Sequence, residues 1–220
     1  MQKYRPFLII ALVLAIAIIG AMLLLRSSWK QSLDVPTPTP QAVSKTQAIP
    51  AQVVVTLEEF GDYQCPPCGE LHPTLKQLKQ ESGPNLNFVF RNLPLTTIHK
   101  NSLVAAQAAE AARMQNRFWE MHDLLYENQE LWGDDVNPRT IFLKWAADLG
   151  LDTARFVQDL EGKQVKLRIA ADEAAAAELG INGTPTVLIN GRQLRPEATN
   201  AEGIHAAIKY VTSPKASPQP

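Results

Sequence analysis

The first ordered hydrophobic pattern in the folded part of the chain is Val53-Val54-Val55-Thr56-Leu57, β-branched and apolar, which predicts a buried strand. After a polar break, Leu71, Leu75 and Leu78 recur at helical spacing and predict an amphipathic helix over the segment following Cys65. Leu86 to Leu93 predicts a second strand. The periodicity then turns helical for a long stretch, with segments over Lys100–Met114, Arg117–Asn128, Pro138–Leu149, Asp152–Leu160 and Val165–Leu179, punctuated by Gly133, Gly150, Gly162 and Gly180. Val187 to Ile189, an Asn190-Gly191 turn and the residues through Leu194 predict a hairpin. Glu202 to Val211 predicts a closing helix. The alanine pairs at 105–106 and 108–109 and the run Ala174 to Ala177 point to close packing and helix propensity, not to a site.

Outside this pattern lie segments of different character. Phe7 to Leu25 is an apolar run of about 19 residues, roughly 28 Å as a helix and long enough for a bilayer core. Signal-peptide hydrophobic regions are shorter and end in a small-residue cleavage site, whereas Arg26-Ser27-Ser28-Trp29 follows here, so an uncleaved anchor over residues 7–25 behind a short tail at 1–6 is expected. Lys3 and Arg5 on one side nearly balance Arg26 and Lys30 on the other, so orientation rests on the short tail and on the chemistry below. Residues 26–50 include Pro36-Thr37-Pro38-Thr39-Pro40, an extended spacer. Residues 213–220 are polar and proline-rich, with nothing to bury, and are expected to be disordered. One domain over residues 51–212 remains. The formal net charge of −1 makes no case for a nucleic-acid partner.

The chemistry centres on Cys65-Pro66-Pro67-Cys68, the only cysteines in the 220 residues. The pair sits on a strand-to-helix turn, and Pro66 and Pro67 suit the first turn of a helix, where an N–H has no partner in any case. The loop between the cysteines is too short for a bridge there to contribute much to fold stability, so the pair reads as a redox device. At the helix start the sulfur of Cys65 meets the positive end of the macrodipole and the Cys68 amide, both favouring thiolate. Cys65 is then the sulfur attacked first and the better leaving group, and Cys68 the resolving one. A closed zinc site takes four ligands, more than Cys65, Cys68 and His72 supply, and Gly69 stands where c-type haem attachment needs histidine. No glycine-rich phosphate loop is present. His72 is expected to be a solvated helix histidine, and His99, His122 and His205 to have surface or core roles.

Two separated motifs carry a family resemblance. Glu59-Phe60-Gly61-Asp62-Tyr63-Gln64 followed by Cys-Pro-Pro-Cys, and Gly180-Ile181-Asn182-Gly183-Thr184-Pro185-Thr186 running into a strand, are similar to the DsbA-like thiol–disulfide oxidoreductases of the thioredoxin fold. The resemblance covers roughly residues 52 to 211 and is closest to the membrane-tethered bacterial members. It implies an α/β thioredoxin fold with a central mixed sheet, flanking helices and an all-helical insertion over about residues 98–180. It implies a cis Thr184-Pro185 bond facing the cysteines, with the backbone around Thr184 able to take an extended substrate as an added strand. The plainer alternative is a trans proline opening a strand. It also places a buried acid at Glu59, exchanging a proton with Cys68. Strand alternation turns one of Glu58 and Glu59 inward, and the sequence leaves open which.

These readings lead to a membrane-anchored oxidoreductase, its domain in the periplasm or on the outer face of the cytoplasmic membrane, oxidising cysteine pairs of exported proteins. It needs no bound cofactor and no metal. The resemblance implies a quinone-linked membrane partner as electron acceptor. Two alternatives stand beside it: a reductase or isomerase kept reduced by a membrane donor, and a thiol-based metal-binding module.

Overall fold

Four strands form one mixed sheet in the order β2-β1-β3-β4 in the computed structural model, which describes residues 54–213. β1 (Val55–Gly61) lies at the centre, parallel to β2 (Leu86–Asn92) and antiparallel to β3 (Thr186–Ile189), which pairs in turn with the short β4 (Arg192–Gln193). A parallel neighbour requires a crossover, supplied by helix α1 (Pro66–Ser82) and a 3-10 turn at Gly83–Asn85. Asn190 and Gly191 join β3 to β4 with φ of 48° and 75°, the positive values that a two-residue hairpin turn demands.

β1 runs further than its apolar run predicts, through both glutamates to Gly61. Alternation explains how. Val55 and Leu57 face a core built from Leu71, Leu75 and Leu78 of α1 and Ile204 of the last helix, and Glu59 shares their parity and is buried. Glu58 points the other way and pairs with Arg91 of β2. Phe60 shares that second face, under Ala176 and Ile181.

Between β2 and β3 the chain builds a helical subdomain: α2 (Ser102–Arg113), α3 (Phe118–Glu127), α4 (Gln129–Trp132), α5 (Arg139–Asp148), α6 (Thr153–Leu160) and α7 (Lys163–Glu178). The one-turn α4 is absent from the periodicity reading. It exists to bury Trp132, whose indole N–H donates to the Leu125 carbonyl at 2.8 Å and whose ring meets Phe142 edge-on. The alanines of α2 at 105, 106, 108, 109, 111 and 112 are all buried, so the middle of α2 is packed on every side and small side chains are what admit its neighbours. A buried polar network ties this subdomain to the sheet. Asp172 of α7 accepts from the Asn92 amide at 3.0 Å, and Glu110 of α2 accepts from the Asn92 side chain, Arg113 and Arg168 at 2.7–2.8 Å. The final helix α8 (Ala201–Thr212) returns to the core of β1 and α1.

The expected anchor at 7–25, the linker at 26–50 and most of the tail at 213–220 lie outside the described residues. Among the described residues, no helix is long and apolar enough to cross a membrane.

Candidate active site

The site grows out of the C-terminal end of β1. After Gly61 the chain turns through Asp62, whose carboxylate is buried and fully used: Oδ1 accepts from the Gln64 amide at 2.8 Å, and Oδ2 accepts from the Leu95 amide at 2.9 Å and meets His99 Nδ1 at 2.7 Å. The Cys65 amide donates to the Asp62 carbonyl at 3.1 Å, and α1 begins at Pro66, with Cys65 as its cap residue in extended conformation. No side chain caps the helix start. Pro66 and Pro67, both exposed, occupy its first positions and remove two N–H groups that would otherwise need partners.

The helical subdomain holds this turn from the side. The Gln129 side-chain amide donates to the Tyr63 carbonyl at 2.6 Å and the Cys65 carbonyl at 3.0 Å. The Gln64 side chain donates to the Gly133 carbonyl at 2.7 Å and accepts from the Asn101 amide at 2.7 Å. Gly69 makes room for this, since a β-carbon there would run into the Gln129 side chain. Neither glutamine stands out in the sequence. A polar residue bonding backbone carbonyls more than sixty positions away leaves no local periodic signal.

Both cysteines are buried free thiols, Cys65 at 5 % exposure and Cys68 at 0 %. The two differ sharply in acidity. Cys65 is drawn down to about 6, chiefly by a hydrogen bond from the Cys68 side chain, with burial opposing, and then by the Thr184 side chain and the Cys68 amide. Sequence reasoning assigns this effect to the helix start. Here the partner thiol dominates, and the Cys68 amide also donates to the Cys65 carbonyl at 3.1 Å. Cys68 moves in the opposite direction, pushed well up by burial, by its bond to Cys65 and by the nearby Glu59 charge.

Thr184 and Pro185 stand opposite. Their peptide bond is cis, and the Thr184 carbonyl lies 3.4 Å from the Cys65 sulfur, in position to accept from its S–H when protonated. The Thr184 hydroxyl oxygen is buried without a hydrogen-bond partner among the described residues, and its side chain favours the thiolate of Cys65. Beside this loop runs a groove of about 640 Å³ bounded by Pro67, Glu70, Thr74 and residues 180–186.

Glu59 lies beneath the pair, 1 % exposed, with Oε1 unpartnered among the described residues. Burial, and secondarily the Cys65 charge, push its carboxyl up to about 8. The Tyr126 hydroxyl is likewise buried and unpartnered, 2.7 Å from where a β-carbon on Gly61 would stand. His72 departs from the expectation of a solvated histidine. It is 3 % exposed because α3 covers its face of α1, stacking its ring on Tyr126 with centroids 5.1 Å apart.

The sequence profile of the family described as "Thioredoxin" matches residues 51–210. The chain belongs to the thioredoxin family. It is similar to a thioredoxin-like oxidoreductase from Silicibacter pomeroyi, 30 % identical with a TM-score of 0.57, over 72 % of this chain and 88 % of that one. BdbD from Bacillus subtilis, at 22 % identity and a TM-score of 0.62 over 72 % and 88 % of the two chains, shares the fold. The Na(+)/H(+) antiporter NhaA 1 of Salinispora arenicola is 40 % identical over 159 residues, 72 % of this chain. This chain spans 23 % of the length of that relative.

Proposed function

We propose that this thioredoxin-family chain is a membrane-anchored, extracytoplasmic thiol–disulfide oxidoreductase that donates its Cys65–Cys68 disulfide to cysteine pairs of exported proteins. The observation that carries this reading is the split acidity of the two thiols, one low and one high, over a buried protonated carboxyl. In the oxidised enzyme a substrate thiolate attacks the Cys65 sulfur. A substrate–Cys65 disulfide forms, the Cys65–Cys68 bond breaks, and the electron pair leaves on Cys68. Cys68 holds a proton avidly and takes one from Glu59, which is protonated near neutrality. A second substrate thiolate then attacks the substrate sulfur of the mixed disulfide and releases Cys65 as a stable thiolate. The substrate leaves oxidised by two electrons and the enzyme stays behind as the dithiol.

A low pKa at Cys65 stabilises the dithiol relative to the disulfide and makes the oxidised pair the stronger oxidant. The substrate segment lies along the groove beside Thr184 and pairs with its backbone, giving main-chain affinity and broad choice. Residues 7–25 anchor the domain, residues 26–50 hold it off the bilayer, and a quinone-linked membrane partner takes the electrons.

Equilibration with glutathione buffers tests the direction. A midpoint potential near about −120 mV supports the donor role, whereas one near about −270 mV assigns a reductase instead.

A further inference from the structure

Between α1, α3 and the side chains of Phe88 and Phe90 on β2, three ligand-bearing side chains converge from two helices. His72 comes from α1, and His122 and Asp123 come from α3. One ligand atom of each lies within 4.8 Å of the others. His72 Nε2 stands 3.5 Å from Asp123 Oδ1 and 3.9 Å from Glu127 Oε1. Zinc–nitrogen bonds of about 2.0–2.1 Å put tetrahedral ligands about 3.4 Å apart, so the His72–Asp123 pair already has that spacing. Asp123 is partly exposed and Glu127 exposed, so both carboxylates have room to adjust toward an ion, while the two imidazoles are buried.

We propose that His72, His122 and Asp123 form a binding site for one zinc ion, with Glu127 or water as the fourth ligand. The geometry carries four independent marks of such a site. His72 is 3 % exposed, yet its Nε2 is buried without a hydrogen-bond partner among the described residues, an expensive state for a polar atom that serves nothing. His122 Nδ1 is occupied by the Tyr63 hydroxyl at 3.0 Å; with Tyr63 accepting, Nε2 carries the lone pair, the arrangement in which an outer partner sets the ring of a metal-bound histidine. Asp123 divides its two oxygens, Oδ2 holding Lys76 at 2.9 Å and Oδ1 facing His72. A pocket of about 210 Å³ opens onto all three residues and admits an ion with its waters.

The ring of His122 is fixed edge-on by Phe90, Trp119 and Tyr126, so it is held in place before any ion arrives. Imidazole nitrogen selects zinc and its neighbours over calcium or magnesium. Lys76, shared between Asp123 and Glu127 at 2.9 and 2.6 Å, and Lys79, stacked on Trp119, oppose a cation and moderate its affinity. Neither cysteine belongs to the cluster, so it is separate from the redox pair. Bound zinc would clamp α1 to the helical subdomain one turn beyond Cys68.

The test uses the full chain carrying Cys65→Ser and Cys68→Ser, titrated with zinc against a chromophoric chelator. The expected result is one zinc per chain, weakened roughly tenfold or more by Asp123→Asn and by His72→Gln. Cobalt should give ligand-field bands with no thiolate charge-transfer absorption. Zinc should raise the thermal midpoint of the Cys65→Ser, Cys68→Ser chain and, at the same zinc concentration, raise that of its Asp123→Asn derivative by less, with near-UV circular dichroism confirming the fold of both. Should His72→Gln fail to fold, Asp123→Asn alone decides. No saturable binding, undiminished binding in Asp123→Asn, or one zinc per two chains would each overturn the assignment. Because both thiols are removed, none of these outcomes depends on the redox reading.

Discussion

Glu59→Gln separates the two consequences of burying an acid. The native carboxyl titrates near 8 against an ordinary 4.5, because burial and the Cys65 charge oppose its ionisation. Below pH 4.5 it is neutral folded and unfolded, and contributes nothing to pH dependence. Between 4.5 and 8 the unfolded chain ionises while the folded one stays protonated, so the folded state binds more protons and stability falls as pH rises. Each pH unit in that window costs about 1.4 kcal/mol, hence about 3 kcal/mol by pH 7. Glutamine carries no such penalty. Reduced Glu59→Gln should therefore gain on the parent progressively from pH 5 to 8 in urea unfolding followed by tryptophan fluorescence. In the oxidised protein the Cys65 charge is gone and the gain should shrink. A stability difference flat across pH 5 to 8 in the reduced state would refute the placement of a neutral acid under the cysteines. The same variant should slow turnover, since Cys68 loses its proton source, and both effects in one protein would tie the instability to the chemistry.

Alkylation of Cys65 should titrate with a midpoint near 6, so that thiolate exceeds thiol about tenfold at pH 7. Cys68→Ala should raise that midpoint, removing the largest stabilising contact, and should accumulate mixed disulfides visible on non-reducing gels; an unchanged midpoint contradicts the assignment. Thr184→Val should raise it by less, as read from the same rate-versus-pH curve. Gly69→Ala should cost about 1–3 kcal/mol in denaturant unfolding by displacing Gln129 from two carbonyls, and much less in a Gln129→Ala background. Equal costs in the two backgrounds would show that Gln129 is not what the glycine accommodates. Phe142→Ala should cost about 3–5 kcal/mol by the same measurement, leaving a cavity against Trp132.

Much of the architecture was readable because it rests on periodicity. Leu71, Leu75 and Leu78 mark the buried face of α1, and the long helices between β2 and β3 begin and end within a few residues of their expected limits. The apolar run marks only the first part of β1, because two glutamates look like a strand end. Thr56 held the missing clue: as a polar residue between Val55 and Leu57 it marks the outer face, which gives Glu58 to Arg91 and turns Glu59 inward. The cysteine pair and the Thr184-Pro185 segment were recognisable as motifs, but what acts between them was not. A helix end is what the sequence offers as the source of the low pKa of Cys65, while its main source is a neighbouring thiol. The burial of His72 was missed because exposure of a helix face depends on what later packs there, and α3 arrives fifty residues downstream.

The grip of Gln129 on the carbonyls of Tyr63 and Cys65 makes the redox turn a joint product of two halves of the domain. A minimal scaffold stripped of residues 98–180 would lose the brace over its own reactive sulfur together with Ala176 and Asp172, which cover and tie the outer face of its sheet. Grafting Cys-Pro-Pro-Cys onto a bare thioredoxin framework should for the same reason transplant the letters without the shape that makes them work.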